Sequence, residues 1–277
     1  MAIITITTDI GDQDFLAGAI KGTILQANPD FRMVEITHYI SRFNYPQAAY
    51  IIRNSIRHFP KGTFHLVLVN LFDERPGHLL LANYNGQVIG CADNGLLPMI
   101  LDGNNPEAVA LPLPDSLPKN VLTITNFIAN SFNEIIKGEK TDSLGKRVVP
   151  KSKGTFQVFE KNDNLDGQVI FIDNFENVVV NITREEFEAK RKGRKFNIIL
   201  KGKEVIDKIC ETYADVPEGE KLALFNSGGY LEIAINKGNA AGLLGLEIFT
   251  EKQIQHLEQT TRQKNLLYQT VQIHFTD

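Results

Sequence analysis

Ile3-Ile4-Thr5-Ile6-Thr7-Thr8-Asp9-Ile10-Gly11-Asp12-Gln13-Asp14 is the stretch on which the fold turns. Its β-branched opening suits a pleated strand, and Gly11 breaks the run just after Asp9. From Asp14 the pattern changes to Phe15, Leu16, Ala19, Ile20, Thr23 and Ile24, roughly the helical period. The unit is therefore strand, tight turn, helix, with a carboxylate at the carboxyl end of the strand. In open α/β sheets ligands bind in that crevice. The turn matches neither G-x-G-x-x-G nor G-x-x-x-x-G-K-[ST], so it is no phosphate cradle. An acidic turn instead suits hydrogen bonds from a diol such as ribose. A lone Asp9 or Asp12 would read as a helix cap. The crowding of Asp9, Asp12 and Asp14 points toward a ligand site.

Outward from this unit the alternation continues. Met33 to Thr37 reads as a second strand, and Tyr45 to Phe59 as an amphipathic helix closed by Pro60-Lys61-Gly62. Phe64 to Val69 is a near-continuous apolar run ending at Asn70, as expected of a parallel strand buried on both faces. Leu79 to Ala82 and Val88 to Gly90 flank a polar turn and predict a hairpin. Asp93-Asn94-Gly95-Leu96-Leu97 turns into a short helix, Ala108 to Leu113 is a strand, and Ile124 to Ile136 is helical. This predicts an N-terminal α/β domain with a largely parallel sheet over residues 1–150. Lys151 to Gly167 is polar, which places a linker at 151–166 and a second domain at 167–277. There Val169 to Ile172, Val178 to Val180, Phe196 to Leu200, Lys221 to Phe225 and Leu231 to Ile235 are short strands separated by turns. They predict a smaller, β-rich sandwich or barrel. Glu185 to Arg194 reads as a solvated helix, Ile254 to Tyr268 as a helix, and Val271 to Phe275 as a last strand.

Composition bounds the function. A hydrophobic content of 43% with 22% charged residues fits a soluble globular chain with a sizeable core. A net charge of −4 gives no basic field for nucleic acid. Cys91 and Cys210 stand far apart and in no metal spacing, so we expect buried thiols, no metal and a reducing compartment. No apolar run approaches membrane-spanning length and no signal-peptide pattern opens the chain, so the expectation is a cytoplasmic protein.

Five stretches say more. They are Thr7-Thr8-Asp9-Ile10-Gly11 with Asp14 and Lys21-Gly22; Asp93-Asn94-Gly95-Leu96-Leu97; Ile172-Asp173-Asn174-Phe175-Glu176-Asn177-Val178; Tyr213-Ala214-Asp215-Val216; and Asn226-Ser227-Gly228-Gly229-Tyr230-Leu231-Glu232 with Asn236. In this order and spacing the chain resembles the S-adenosylmethionine hydrolase (hydroxide adenosyltransferase) family, whose relatives include fluorinase and chlorinase. The resemblance implies an α/β domain followed by a β-rich domain, and a homotrimer with sites between subunits. It implies displacement of methionine from the ribose 5′ carbon by water or halide, with S-adenosylmethionine as substrate and no further cofactor. It also implies that Asp9 holds the ribose hydroxyls. Phe175, Asn177, Tyr213 and Asn236 would form the adenine pocket, and Asp173 and Ser227 would hold the methionine amino and carboxylate groups. For Phe175 and Tyr213 the competing reading is ordinary core.

The chain also departs from that pattern. The hydrolases end their third strand with Val-Asp-Pro-Gly-Val-Gly and an Arg soon after, and a later Phe-His-Gly-Arg-Asp supplies a His; together these position the attacking water. Here the strand ends Val69-Asn70-Leu71-Phe72-Asp73-Glu74-Arg75, and the later stretch reads Leu122-Thr123-Ile124-Thr125-Asn126-Phe127. Asn70 takes the carboxylate position and Arg75 the Arg position across a shorter loop. An amide accepts no proton at working pH. Asp73, Glu74 and His78 share the loop and are possible substitutes. The expected activity is slow hydrolysis of adenosylmethionine to adenosine and methionine. The alternatives are a non-catalytic adenosyl-binding protein or a different nucleophile such as halide.

Overall fold

Ile3–Thr8 forms β1, and its side chains from Ile4 to Thr8 are all buried. Continuous burial follows from its place inside a sheet, paired in parallel with β2 (Arg32–Thr37) on one side and β3 (Phe64–Leu68) on the other. This computed structural model describes residues 2–101, 107–153, 158–161, 164–200, 205–246 and 270–276. The chain divides into two units, Met1–Thr155 and Phe156–Asp277.

The first unit carries a seven-stranded sheet in the order β2-β1-β3-β5-β4-β6-β7. The remaining strands are β4 (His78–Tyr84), β5 (Gln87–Ala92), β6 (Glu107–Pro112) and β7 (Lys146–Val148). The four strands β2, β1, β3 and β5 run parallel. Beyond β5 the pairing turns antiparallel, because β4 and β5 form the expected hairpin. Asn85 and Gly86 at its tip both have positive φ, 51° and 79°, as a two-residue turn of primed type requires. Four helices cover the sheet: α1 (Leu16–Ala27), α2 (Tyr45–Ile56), α3 (Leu96–Ile100) and α4 (Val121–Ile136). Helix α1 packs on α4, and α2 on α3. The apolar stripes of α1 and α4 meet Ile4, Ile6, Leu66, Leu68 and Leu79 in one core. Helix α4 approaches β5 so closely that a Cβ on Gly90 would lie 2.5 Å from Ile128.

The second unit is a sheet of nine described strands in the order β12-β11-β16-β9-β10-β15-β14-β13, with β8 paired to β9. These are β8 (Phe159–Lys161), β9 (Asn164–Ile172), β10 (Val178–Thr183), β11 (Lys195–Ile199), β12 (Val205–Ile206), β13 (Ile209–Cys210), β14 (Lys221–Phe225), β15 (Tyr230–Ile235) and β16 (Thr270–Thr276). Every pairing but β13 with β14 is antiparallel. The sheet curls enough for β12 to pack against β14. Phe187, on the charge-rich helix α5 (Arg184–Arg191), plugs the curl against Phe196, Phe225 and Phe275 at 5.0, 5.4 and 5.7 Å between ring centroids. A capping box between Thr183 and Glu186 starts that helix.

β9 begins at Asn164, five residues before the apolar run that marks it in the sequence. Pairing with β16 holds the polar segment in place. Gly167 allows the close approach, since a Cβ there would lie 2.5 Å from Val180. The helix expected over Ile254 to Tyr268 lies outside the described residues.

Candidate functional site

Parallel strands deliver their carboxyl ends to one rim. In the first unit β1, β3 and β5 bring Asp9, Asn70 and Asp93 to that rim, and the antiparallel β4 starts there with His78. Asp9 accepts the backbone N–H of Asn70 at 2.8 Å, and burial pushes its carboxyl above the ordinary carboxylate range. It does not cap α1. Asp14 takes that task through the Leu16 N–H at 2.7 Å, and Asp12 accepts the Tyr39 hydroxyl. The three aspartates of the opening turn thus have separate jobs. Asp9 is the one tied to the sheet edge.

Asn70 sits in the left-handed region at φ 48°, where Asn is better tolerated than most residues. Its Oδ1 accepts the Phe43 N–H at 3.2 Å. Its Nδ2 is buried with no partner in the structure. Asn94 donates from Nδ2 to the carbonyls of Val69 and Asn70 at 2.9 and 3.0 Å. The Asp93-Asn94-Gly95 turn is thereby stitched to the end of β3.

Beside this stitch lies a cavity of about 300 Å³ lined by Leu71, Asp73, Arg75, His78, Asp93 and Asn94, among others. The residues just past Pro150 close one wall. Lys153 pairs with Asp73 and lies 4.5 Å over the Tyr45 ring, and the Tyr45 hydroxyl donates to Asp73 at 3.1 Å. Lys151 pairs with Glu74 at 2.6 Å. The hydrogen bond from Lys153 holds the Asp73 carboxyl below its usual range. His78 Nε2 stands 3.0 Å from Asp93 Oδ2, and Asp93 Oδ1 accepts the Lys151 backbone N–H at 2.8 Å. Arg75 is exposed and makes no ion pair among the described residues.

In the second unit Asp173 to Asn177 form the tight loop between β9 and β10. Asp173 Oδ1 accepts the N–H groups of Phe175 and Asn177 at 2.9 and 2.8 Å, and Oδ2 accepts Asn177 Nδ2 at 3.0 Å. Asn177 is buried, while the Phe175 ring at the tip is 80% exposed. Ordinary core is therefore excluded for Phe175. Tyr213 is also exposed on one side, and its hydroxyl donates to Glu232 at 2.6 Å. Glu232 is buried in the middle of β15, and burial raises its carboxyl pKa. Ala241 donates its N–H to the Glu176 carbonyl at 2.9 Å, so the stretch after Asn236 lies against the same loop.

Asn236 itself is spent on the fold: its Nδ2 donates to the Val216 carbonyl at 2.8 Å. Ser227 is exposed in the turn between β14 and β15. Val178 pairs with Ile233, whereas the Ser227 turn precedes Tyr230, so the two loops stand about 10 Å apart along the strand. No hydrogen bond joins Asp173 to Ser227 among the described residues.

With both half-sites in view, comparison with known proteins is informative. The profile of the SAM hydroxide adenosyltransferase N-terminal domain matches residues 4–145, and that of its C-terminal domain matches residues 167–252. The chain belongs to the SAM hydroxide adenosyltransferase family. An (R)-S-adenosyl-L-methionine hydrolase from Methanocaldococcus jannaschii is 27% identical over 263 residues, covering 91% of this chain and 95% of that protein. The enzyme of the same name from Thermus thermophilus is 23% identical, covering 87% and 94%. A fluorinase from Nocardia brasiliensis is 25% identical, covering 86% and 92%. A crystal structure of an uncharacterized conserved protein from Thermotoga maritima superimposes with a TM-score of 0.75 over 98% of this chain and 99% of that one; at 20% identity this likeness speaks to fold alone.

Within the SAM hydroxide adenosyltransferase fold, three features of the rim and loops escaped the sequence reading. Glu232 was hidden inside a strand, although a lone acid in Leu231-Glu232-Ile233-Ala234 is a signal of a buried polar contact. Lys151 and Lys153 looked like linker. The pairing of His78 with Asp93 needed the hairpin register, which no local pattern contains.

Proposed function

We propose that this chain binds S-adenosylmethionine and hydrolyses it to adenosine and L-methionine by attack of water at the ribose 5′ carbon. The observation that carries the reading is Asp9. It caps no helix, takes one N–H from the neighbouring strand, and keeps acceptor capacity for a vicinal diol at the sheet rim. Phe175 and Tyr213, 80% and 42% exposed, support an adenine site, because an exposed aromatic ring is a surface on which a base can stack. In this reading Asn177 and Asn236 shape the adenine pocket, Asp173 and Ser227 meet the methionine end, and Asn70 and Arg75 border the reacting carbon. The chain forms a homotrimer with the two half-sites joined at subunit interfaces. Its two unpaired, buried cysteines suit the cytoplasm. Among the described residues no helix is long and apolar enough to cross a membrane.

The test is direct. Purified protein is incubated with S-adenosylmethionine, products are separated by chromatography, and binding is measured by calorimetry. Release of adenosine and methionine supports the hydrolase. Binding without release supports a second reading, an adenosyl-binding protein without turnover, which the amide at Asn70 favours. No binding of either adenosine or S-adenosylmethionine overturns both. Halide as the nucleophile is the weakest alternative.

A further inference from the structure

We propose that His78, oriented by Asp93, is the base that takes the proton from the attacking water. The inference rests on the hydrolase reading above and supplies what that reading lacks, a proton acceptor at the rim.

From the end of β3 to the start of β4, Asp73, Glu74, Arg75 and His78 line the cavity, and of these Asp73, Glu74 and His78 are able to accept a proton. The first two are already engaged. Asp73 is held by Lys153 and by the Tyr45 hydroxyl, and Glu74 by Lys151. The Asp73 carboxylate, held below its usual range chiefly by the Lys153 hydrogen bond, is a poor base. His78 is different. It is half-buried, with 35% of its side chain exposed, and it lines the cavity. Its Nε2 faces the Asp93 carboxylate at 3.0 Å. A carboxylate only accepts, so in the neutral imidazole Nε2 carries the hydrogen and Nδ1 the lone pair. Nδ1 has no partner among the described residues. Asp93 is a stable support, since only 9% of its side chain is exposed and its other oxygen is fixed by the Lys151 N–H. A base held by a carboxylate on its far nitrogen is the arrangement general-base catalysis uses.

Position agrees with role. Asn94 lines the same cavity and is bonded to the Asn70 carbonyl, so the cavity adjoins the end of β3 and hence Asp9. At about 300 Å³ it has room for the reacting end of a ligand rather than the whole. In the step, the water oxygen forms a bond to the 5′ carbon as one of its protons passes to His78 Nδ1. The carbon–sulfur bond breaks, and its electron pair goes to the sulfonium sulfur, which leaves as the neutral thioether of methionine. The proton on His78 then returns to solvent. Atoms and charge balance with water and S-adenosylmethionine alone.

The experiment compares the parent protein with His78→Ala and Asp93→Ala, following adenosine release with and without added imidazole. His78→Ala should lower kcat by about 100-fold or more with little change in KM. Imidazole should restore part of the rate in His78→Ala and none in Asp93→Ala, which keeps its own ring. Calorimetric affinity for S-adenosylmethionine and the melting temperature are recorded for each variant. If His78→Ala misfolds, His78→Gln replaces it, with the same rate loss expected. A parent that binds and turns over, with a His78 variant equally fast, overturns the base assignment and leaves the hydrolase reading standing. A parent that releases no adenosine overturns the hydrolase reading, and the assignment with it.

Discussion

Asp9 Oδ2 and the backbone N–H of Asn70 meet at 2.8 Å across 61 residues of sequence. The bond ties the ends of two adjacent parallel strands at the rim where the cavity begins. It joins a carboxyl group whose charge burial disfavours to a residue held at positive φ. A desolvated carboxyl group at the carboxyl rim of a parallel sheet is the kind of group that clusters at functional sites.

At Asp9, burial of the carboxyl costs stability whenever the group is ionised. Its carboxyl pKa is raised in the folded state, so its stabilising contribution is complete below the ordinary value of 3.8 and is lost as pH rises through the folded value. Asp9→Asn keeps an oxygen for the Asn70 N–H and removes the buried charge. The variant should melt higher than the parent at pH 7, with the gap closing toward pH 4. Its affinity for adenosine should fall by about 1.5–3 kcal/mol, roughly 10- to 100-fold. Calorimetric melting at the two pH values and a binding isotherm check both halves.

The fold was legible because its signals are local. Alternation of β-branched runs and helical periods through Leu113 needs no knowledge of distant partners. The start of β9 was not legible, because the polar Asn164 and Asp166 join a strand through β8 and through β16, the latter more than 100 residues later. The site divided the same way. Asp9 stood out at a strand end next to a glycine. Phe175 was ambiguous until its exposure was known, since a lone Phe in a sequence reads equally as core. Lys153, separated by 80 residues from Asp73, could be paired only by the folded chain.

Tyr213 and Glu232 form a pair that should be energetically coupled. Tyr213→Phe leaves a buried carboxylate short of a donor, which costs about 1–3 kcal/mol. Glu232→Gln relieves the buried charge, and Tyr213→Phe in that background should cost less than in the parent. Urea denaturation of the parent, both single variants and the double variant gives the coupling. A coupling within error of zero would show that the hydroxyl and the carboxylate do not interact in solution.

Asp73 and Lys153 predict the opposite pH signature to Asp9. The Asp73 carboxyl is held below 3.8, chiefly by the Lys153 hydrogen bond, so its contribution is present above that value and is lost as pH falls through the folded value. Both groups are partly exposed, 25% and 42%, so Asp73→Asn should cost no more than about 1 kcal/mol at pH 7. The difference from the parent should shrink in acid below pH 3.8 and in 1 M salt, where the Debye length is only about 3 Å. Denaturation midpoints at two pH values and two salt concentrations measure it.

Asn70 separates conformation from chemistry. At φ 48° a residue with a Cβ pays roughly 1–2 kcal/mol unless it is Asn or Asp, whose short polar side chain hydrogen-bonds locally. Asn70→Ala meets that cost and also leaves the Phe43 N–H without its acceptor, about 1–3 kcal/mol more. Asn70→Gly avoids the strain but not the lost acceptor. Asn70→Asp avoids both, since a carboxylate oxygen can take the Phe43 N–H, and its second oxygen replaces the partnerless Nδ2. The stability order should therefore be Asn70, then Gly, then Ala, read from urea midpoints, with Asp below Asn at pH 7 because it buries a second charge beside Asp9. Asn70→Asp also adds a negative charge beside Asp9, which pushes the Asp9 carboxyl further up. Turnover should still rise, but only modestly, because catalytic groups that act as a unit are not restored one at a time. An alanine variant as stable as the glycine variant would remove the conformational role. An aspartate variant slower than the parent would mean that the amide, not a carboxylate, is what the reacting water needs at this position.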